Sequence, residues 1–243
     1  PLNYNDFIGT VAIKRIRDTF NAKRTFKPTY YGANGHNGSD GGTAHLSVVD
    51  VQGNAVALTT TINTGFGSHF VAGSTGIILN NEMDDFVARP GVPNAFGLVG
   101  HAANAIAPGK RPLSSMSPTI VLKRQRPRFV LGGSGGPTII TGTIQALLNM
   151  MIFDMSPVEA IEASRIHHQW APNLLYVEPD LNADVLASLK GLGHAIHTRP
   201  RFGAVQVIAV RAGAQSGASD PSKGGRPAGV DPQGRIRQLT IMP

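Results

Sequence analysis

The chain has 243 residues, 41% of them hydrophobic and 15% charged, which suits one sizeable folded domain or a large part of one. It has no cysteine, which excludes disulfide scaffolds, thiol catalysis and cysteine-based zinc sites, and no apolar run is long enough to span a membrane. The net charge of +7 comes from scattered Lys and Arg, and with only 6% aromatic residues there is no stacking platform for nucleic acid.

In chain order, residues 5–18 read as a helix capped by Asn5 or Asp6, with Phe7, Ile8, Val11, Ala12 and Ile16 on its apolar face. The chain opens on Pro-Leu-Asn without Met or a signal-peptide pattern, so it is expected to be the C-terminal part of something longer. The glycine-rich stretch 32–42 reads as an exposed loop open to cleavage. A hairpin follows: 45–51 alternates, Gln52-Gly53-Asn54 turns, and 55–62 returns. Short strands are expected at 76–79, 118–123 and 128–131. Residues 139–153 are long and apolar and read as a buried helix. Ser156-Pro157-Val158-Glu159 forms a capping box with Pro at the first helical position, so a helix is expected to run to about His167. Asn182 caps a further helix over 183–190 with Gly191 as its stop. Strands are expected at 175–177 and 205–210, and the Gly-, Ser- and Pro-rich 213–229 reads as loop. Strands and helices in runs argue an α+β fold with layered sheets.

Thr43 stands where a glycine-rich loop enters a strand. A β-branched residue suits a strand start. The alternative is chemical: were the Gly42–Thr43 bond cut, the hydroxyl would lie beside a free α-amine, and that pair is an activated nucleophile. Four later stretches are polar where a plain core would be apolar. Alternation puts Thr59, Thr61 and Asn63 on one face, beside the strand led by Thr43. Asn80-Asn81-Glu82-Met83-Asp84-Asp85 could hold a cation, an ammonium group or nothing, and it lacks the spacing and glycine of a calcium loop. Ser114 and Ser115 could donate to a carboxylate or merely satisfy a turn. Gly132-Gly133-Ser134-Gly135-Gly136-Pro137 between strand and helix is no nucleotide P-loop, because no Lys-Ser/Thr follows; its backbone N–H groups could stabilise an oxyanion. His167-His168 lacks an evident third metal ligand, so His167 and Trp170 are expected to pack a helix end.

These stretches in this order resemble the γ-glutamyltransferase (γ-glutamyltranspeptidase) family. The matching pieces are Gly41–Ser47, Thr61-Ile62-Asn63, Gly76–Phe86, Pro112–Pro118, Gly135-Gly136, His167–Trp170 and Ala218–Pro221, so the likeness covers roughly residues 1 to 230. The resemblance implies an N-terminal-nucleophile hydrolase fold, a four-layer αββα sandwich, of which this chain supplies a part. It implies self-cleavage between Gly42 and Thr43. Residues 1–42 would then be the tail of a large-subunit region and residues 43–243 the small-subunit catalytic region. It assigns Thr43 as nucleophile, its freed amine as base, Thr61 as its hydrogen-bonding partner, and the N–H groups of Gly135 and Gly136 as the oxyanion hole. Asn63, Glu82 and Asp85 would hold the α-amino group of a γ-glutamyl donor, and Ser114 and Ser115 its α-carboxylate. The implied reaction passes through a γ-glutamyl ester on Thr43 to water or to an amino-acid or peptide amine, with no cofactor and no metal. The implied macromolecular partner is the chain's own large-subunit fragment, and the implied location is periplasmic or extracellular.

There are departures. Val92–Leu98 resembles a lid loop in which many bacterial members carry Tyr where this chain has Phe96, so closure is expected to be looser or held by packing alone. The family's carboxylate-binding Arg belongs to the upstream part, and residues 231–243 extend past the usual end without an assigned role. Two alternatives remain: a cephalosporin or glutaryl acylase of the same fold, and a non-catalytic amino-acid-binding remnant. Glu82 and Asp85 speak against the acylase, because a glutaryl group has no ammonium for them to pair. The intact set of Thr43, Thr61, Gly135 and Gly136 speaks against the remnant.

Overall fold

A computed structural model of the chain describes residues 14, 17, 18, 42–169, 172–230, 233 and 235–238. The chain divides into two compact units, Pro1–Gly38 and Ser39–Pro243. In the first, the described residues Lys14, Arg17 and Asp18 are helical, and Lys14 pairs with Asp18 at 2.8 Å. The rest of the helix expected over 5–18, the loop over 32–41 and Trp170 lie outside the described residues.

The second unit opens with the expected hairpin. β1 (Thr43–Val49) and β2 (Ala55–Thr61) pair antiparallel, with Thr43 opposite Thr61. The turn closes because Asp50 accepts from the backbone and side-chain nitrogens of Asn54, and Gly53 supplies a φ of 89°. Alternation gives this hairpin an inverted look. Its inner face is small and polar (Thr43, His45, Ser47, Thr59, Thr61), whereas Leu46, Val48, Val56 and Leu58 on the outer face are between 45% and 50% exposed.

The inner face packs on a four-stranded sheet of order β3-β4-β8-β9, formed by Thr119–Lys123, Arg126–Ser134, Ala204–Arg211 and Ala214–Ser219. On the other side of that sheet lie α1 (Thr138–Ile152) and α2 (Pro157–Glu162). Leu131, Val205, Val207, Ala146, Met150 and Ile161 fill the space between. Burial of this apolar area is stabilising at about 25 cal/mol per Å². The order is therefore sheet, sheet, helix: three of the four layers of an αββα sandwich, with the hairpin's apolar outer face where the fourth would lie. α1 is rich in β-branched residues that favour strands over helices, so packing decides it. Gly142 makes that packing possible, since a Cβ there would sit 3.0 Å from the carbonyl oxygen of Gly203.

A smaller sheet holds β5 (Ile166–His167), β6 (Leu175–Val177) and β7 (Ile196–Thr198). α3 (Ala183–Gly191) crosses between the parallel β6 and β7, capped by Asn182, which accepts from the N–H groups of Asp184 and Val185. β10 (Ala228–Val230) and β11 (Ile236–Gln238) form a separate hairpin.

Several expectations need correction. No strand forms at 76–79; Ile78 makes a single bridge to Val71, and the half-exposed Ile77 and Leu79 have no sheet to join. Gly132–Ser134 belong to β4 rather than to a loop, because a Cβ on Gly132 would enter the His45 ring and one on Gly133 would meet the carbonyl oxygen of Ala204. The capping box at Ser156 forms, but α2 stops at Glu162, and His167 lies in β5 instead of at a helix end. The stop is electrostatic. Arg165 is buried and donates to the carbonyls of Phe202 (2.9 Å) and Gly203 (2.8 Å), to Ile161 and to Asp220 (2.6 Å), which pulls the chain out of the helix. α1 is buried on one face only, with Ile140, Ile144, Leu148 and Met151 about half exposed. Gly191 is the last residue of α3, and the left-handed residue after it is Gly193, at φ 91°. The 213–229 stretch contains β9, joined to β8 through Ala212 and Gly213 at φ 49° and 83°, and also β10. Both central residues of that two-residue turn have positive φ, which matches the twist of the strands.

Candidate active site

The site is built at the open end of the hairpin. Thr43 is buried, and its Oγ1 lies 2.8 Å from Oγ1 of Thr61, the residue opposite it in the ladder. Thr61 Oγ1 also accepts from the backbone N–H of Asn63 at 2.8 Å. A hydroxyl has one proton and two lone pairs, so with one lone pair taken Thr61 can still accept the proton of Thr43 or donate its own. The main chain of Thr43 is anchored too. Its carbonyl accepts from the Lys223 ammonium at 2.9 Å, and the carbonyl of Gly42 accepts from Ile62 N–H at 2.9 Å. A Cβ on Gly42 would lie 2.5–2.6 Å from the carbonyl oxygens of Thr64 and Asn63, so only glycine fits immediately before Thr43. The structure requires glycine there for want of space.

Beyond Thr61 the chain turns sharply, with Asn63 at φ 73°. Asn81 fixes that turn. Its carbonyl accepts from Asn63 Nδ2 (3.2 Å), and its side-chain oxygen accepts from the N–H (3.1 Å) and hydroxyl (3.0 Å) of Thr64. The turn is thereby tied to the 3-10 segment Glu82–Asp85. Both carboxyls of interest there titrate high. Burial pushes Glu82 up to about 7, with the charge of Asp85 adding to it. Asp85 is also raised, by burial first and by Asp84. Glu82 Oε1 is buried without a hydrogen-bond partner. A cation beside this pair would favour the ionised form of both carboxyls.

Asn104 links this segment to the serines. Its Nδ2 donates to the carbonyl of Asp85 (2.7 Å), and its Oδ1 accepts from the N–H of Leu113 (3.0 Å). Ser114 Oγ accepts from Met116 N–H at 3.1 Å, which satisfies the turn and leaves the hydroxyl proton free to donate. Across the cavity β4 leads into Gly135 and Gly136, at φ 139° and 55°. The carbonyl of Gly135 is engaged by the N–H and hydroxyl of Thr138, whereas none of the turn hydrogen bonds there uses the Gly135 or Gly136 N–H as donor. Those two N–H groups, in the turn just before α1, meet no acceptor among the described residues and can serve a ligand.

One cavity of about 520 Å³ gathers Thr43, Thr61, Asn63, Asp85, Ser114, Ser115 and Gly136. Glu82 and Gly135 do not line it, although their chain neighbours Met83 and Gly136 do. Seven of the nine residues expected from the sequence therefore face one space. Asn81, Asn104 and Lys223 were missed. Asn81 lay inside a quoted motif without a role; a lone Asn104 in a loop and a lysine 180 positions from its partner carry no local signal. Phe96 lines the same cavity, its ring 3.0 Å from where a Cβ on Gly136 would stand. His45, two residues beyond Thr43, faces the second sheet. It bonds Thr59 (2.7 Å) and Ser47 (3.1 Å), and burial lowers its pKa to about 4. Among the described residues no group of three His, Asp or Glu could hold a metal ion.

Residues 3–230 match the sequence profile of the family described as Gamma-glutamyltranspeptidase. The chain is 51% identical over 180 residues to a glutathione hydrolase proenzyme of Escherichia coli, covering 74% of this chain and 31% of that one. It is 42% identical over 211 residues to glutathione hydrolase proenzyme 1 of Schizosaccharomyces pombe, covering 86% and 33%. It thus spans about a third of the length of these curated relatives. Among solved structures it is similar to a mutant of Helicobacter pylori gamma-glutamyltranspeptidase, with a TM-score of 0.71 at 46% identity over 73% of this chain and 98% of that one. It is also similar to a cephalosporin acylase from Bacillus halodurans, with a TM-score of 0.64 at 26% identity over 79% and 36%.

Proposed function

Because this chain belongs to the gamma-glutamyltranspeptidase family and has the N-terminal-nucleophile hydrolase fold, we propose that it is the catalytic part of a self-cleaving enzyme that transfers or hydrolyses γ-glutamyl groups, with glutathione as a donor. The observation that carries this reading is the placement of the Thr43 hydroxyl, 2.8 Å from Thr61, in a cavity with a carboxylate, two serine hydroxyls and an N–H-bearing glycine turn.

Maturation would begin with attack of Thr43 Oγ1 on the Gly42 carbonyl. Ile62 N–H already polarises that carbonyl. The C–N bond breaks, the nitrogen takes the hydroxyl proton, and water hydrolyses the resulting ester. Residues 43–243 then start at a free α-amine. In turnover that amine accepts the proton of Oγ1 as the oxygen attacks the γ-carbonyl of the donor. The developing oxyanion is held by the N–H groups of Gly135 and Gly136, each such donor being worth roughly 3–4 kcal/mol. The proton passes to the leaving amine, and a γ-glutamyl ester remains on Thr43. Water or an amino-acid or peptide amine then displaces Thr43. Asp85, with Glu82 behind it and Asn63 beside it, suits the donor's α-ammonium, and Ser114 and Ser115 suit its α-carboxylate.

The apolar outer face of the hairpin supports a missing helical layer, and we assign that layer to the enzyme's own large subunit, with residues 1–42 as that subunit's tail. A periplasmic or extracellular location for the mature protein is part of this reading, and fractionation with a compartment marker tests it. An acylase reading has no use for the acidic pair. The deciding experiment is the intact mass of the full-length gene product with and without Thr43→Ala. The wild type should yield two fragments, the smaller starting at Thr43, and should release the amine of a γ-glutamyl anilide. The variant should do neither, and normal cleavage in it would refute the proposal.

A further inference from the structure

We infer that Gln169 is a positioning residue for the loop 92–98, clamping its main chain so that the Phe96 ring stays against Gly136 in the cavity wall. The clamp is a relay of three side chains. Thr141 on α1 meets His167 Nδ1 at 2.9 Å, His167 Nε2 meets Gln169 Oε1 at 2.9 Å, and Gln169 Nε2 donates to the carbonyl of Phe96 at 3.1 Å. The last bond fixes the polarity of the rest. A glutamine amide that donates to Phe96 must present its oxygen to His167, so His167 Nε2 carries a proton. Burial of His167 favours its neutral form, so Nδ1 is left as an acceptor facing the Thr141 hydroxyl, whose one proton it shares with the Thr138 carbonyl at 3.2 Å. His167 itself packs against the rings of Tyr176 (6.1 Å between centroids) and Phe202 (6.2 Å).

The loop is shaped to receive this contact. Asn94 Oδ1 accepts from the N–H groups of Phe96 and Leu98, both at 3.0 Å, and Asn94 N–H donates to the Leu98 carbonyl, which curls the loop into a rigid knuckle. Gly97 stands at φ 75°, and a Cβ there would already touch the Gln169 amide at 3.6 Å. Gln169 therefore seats the knuckle on the same helix whose start presents Gly135 and Gly136. The loop wall and the N–H turn are held by one element, and a donor entering the cavity would meet both in fixed register. The consequence for turnover rests on the acyl-transfer reading above; the clamp itself does not.

The test uses the full-length gene product and Gln169→Glu, which keeps the acceptor for His167 and removes the donor for Phe96. Hydrogen exchange of the amides in 92–98 should quicken about 5–10-fold, as expected for one lost hydrogen bond, while β4 and α1 keep their protection. The KM for a γ-glutamyl donor should rise by about 5-fold with kcat within about twofold. Gln169→Met, of similar length without an amide, should behave alike and decides the matter if the charged variant fails to mature. Unchanged loop exchange overturns the inference. Faster exchange throughout α1 and β4 also overturns it, because Gln169 would then be a general packing residue. If the wild type turns over no γ-glutamyl donor, the functional reading fails, and loop exchange still judges the clamp.

Discussion

Thr61→Val tests the centre of the site with the least change in shape. Valine keeps the branched volume and the strand propensity of threonine but has no hydroxyl. Two bonds disappear together: the 2.8 Å contact with Thr43 Oγ1 and the 2.8 Å bond from Asn63 N–H. The first orients the nucleophile. A lost hydrogen bond in a partly buried site costs about 1–2 kcal/mol, which corresponds to a roughly 5–30-fold slower reaction. Self-cleavage and turnover should both slow by that factor, because the same oxygen attacks in each. The second loss leaves the Asn63 N–H without its partner at a buried turn, costing about 1–3 kcal/mol of stability. Intact mass followed over time gives the cleavage rate, a chromogenic γ-glutamyl anilide gives kcat/KM, and thermal melting of the matured protein gives the third quantity. Thr61→Ser should retain most of all three. A valine variant that cleaves and turns over within twofold of the wild type would refute the idea that Thr61 orients Thr43.

Three further outcomes are expected. Arg165→Met leaves the fully buried Asp220 without its cation, while Glu178 keeps Arg201 at 3.7 Å, so the protein should lose about 3–5 kcal/mol and melt roughly 10 °C lower, with Asp220→Asn in the same chain recovering part of the loss; an unchanged melting temperature would show the cluster to be dispensable. Gly132→Ala pushes a methyl into the His45 ring, 2.3–2.8 Å away, and should destabilise by about 1–3 kcal/mol. Combination with His45→Ala should relieve much of that cost, and strict additivity in the double-mutant cycle would disprove the contact. Glu82, held near 7, binds more protons folded than unfolded at intermediate pH, so its contribution to stability falls as pH rises from its ordinary value of 4.5 through 7. Donor binding runs the other way, because an ammonium needs the carboxylate, so KM should climb as pH falls through about 7. Glu82→Gln should flatten both profiles, and pH profiles unaltered by that change would remove Glu82 from the site.

Much of the candidate site was legible in the order of residues because its parts are local. A glycine before a strand-leading threonine, a hairpin that returns threonines beside it, an acidic run and a glycine-rich strand end each carry their chemistry within a few positions. The capping box at Ser156 and the cap at Asn182 were equally local, and both formed. Short-range signals failed where a distant group decided. Arg165 ends α2 because Asp220 lies 55 positions on. Gly132 and Gly133 read as loop, yet they are strand residues kept small by His45 and Ala204 from elsewhere in the chain. The Ala212-Gly213 turn has none of the usual Asn-Gly strength, so β9 was read as loop.

The sequence by itself determined which atoms are available: a threonine hydroxyl, two amides, carboxylates and serines, with no thiol. Their order identifies the family. Only the tertiary structure decided how they act together. It placed Thr61 opposite Thr43, required glycine at 42 for want of space, raised the Glu82 carboxyl by burying it beside Asp85, and brought Lys223 and Gln169 to the site from far along the chain. The physical reason is that hydrogen bonding and desolvation depend on distances of a few ångströms, and those distances are set by how sheets and helices pack rather than by separation along the chain.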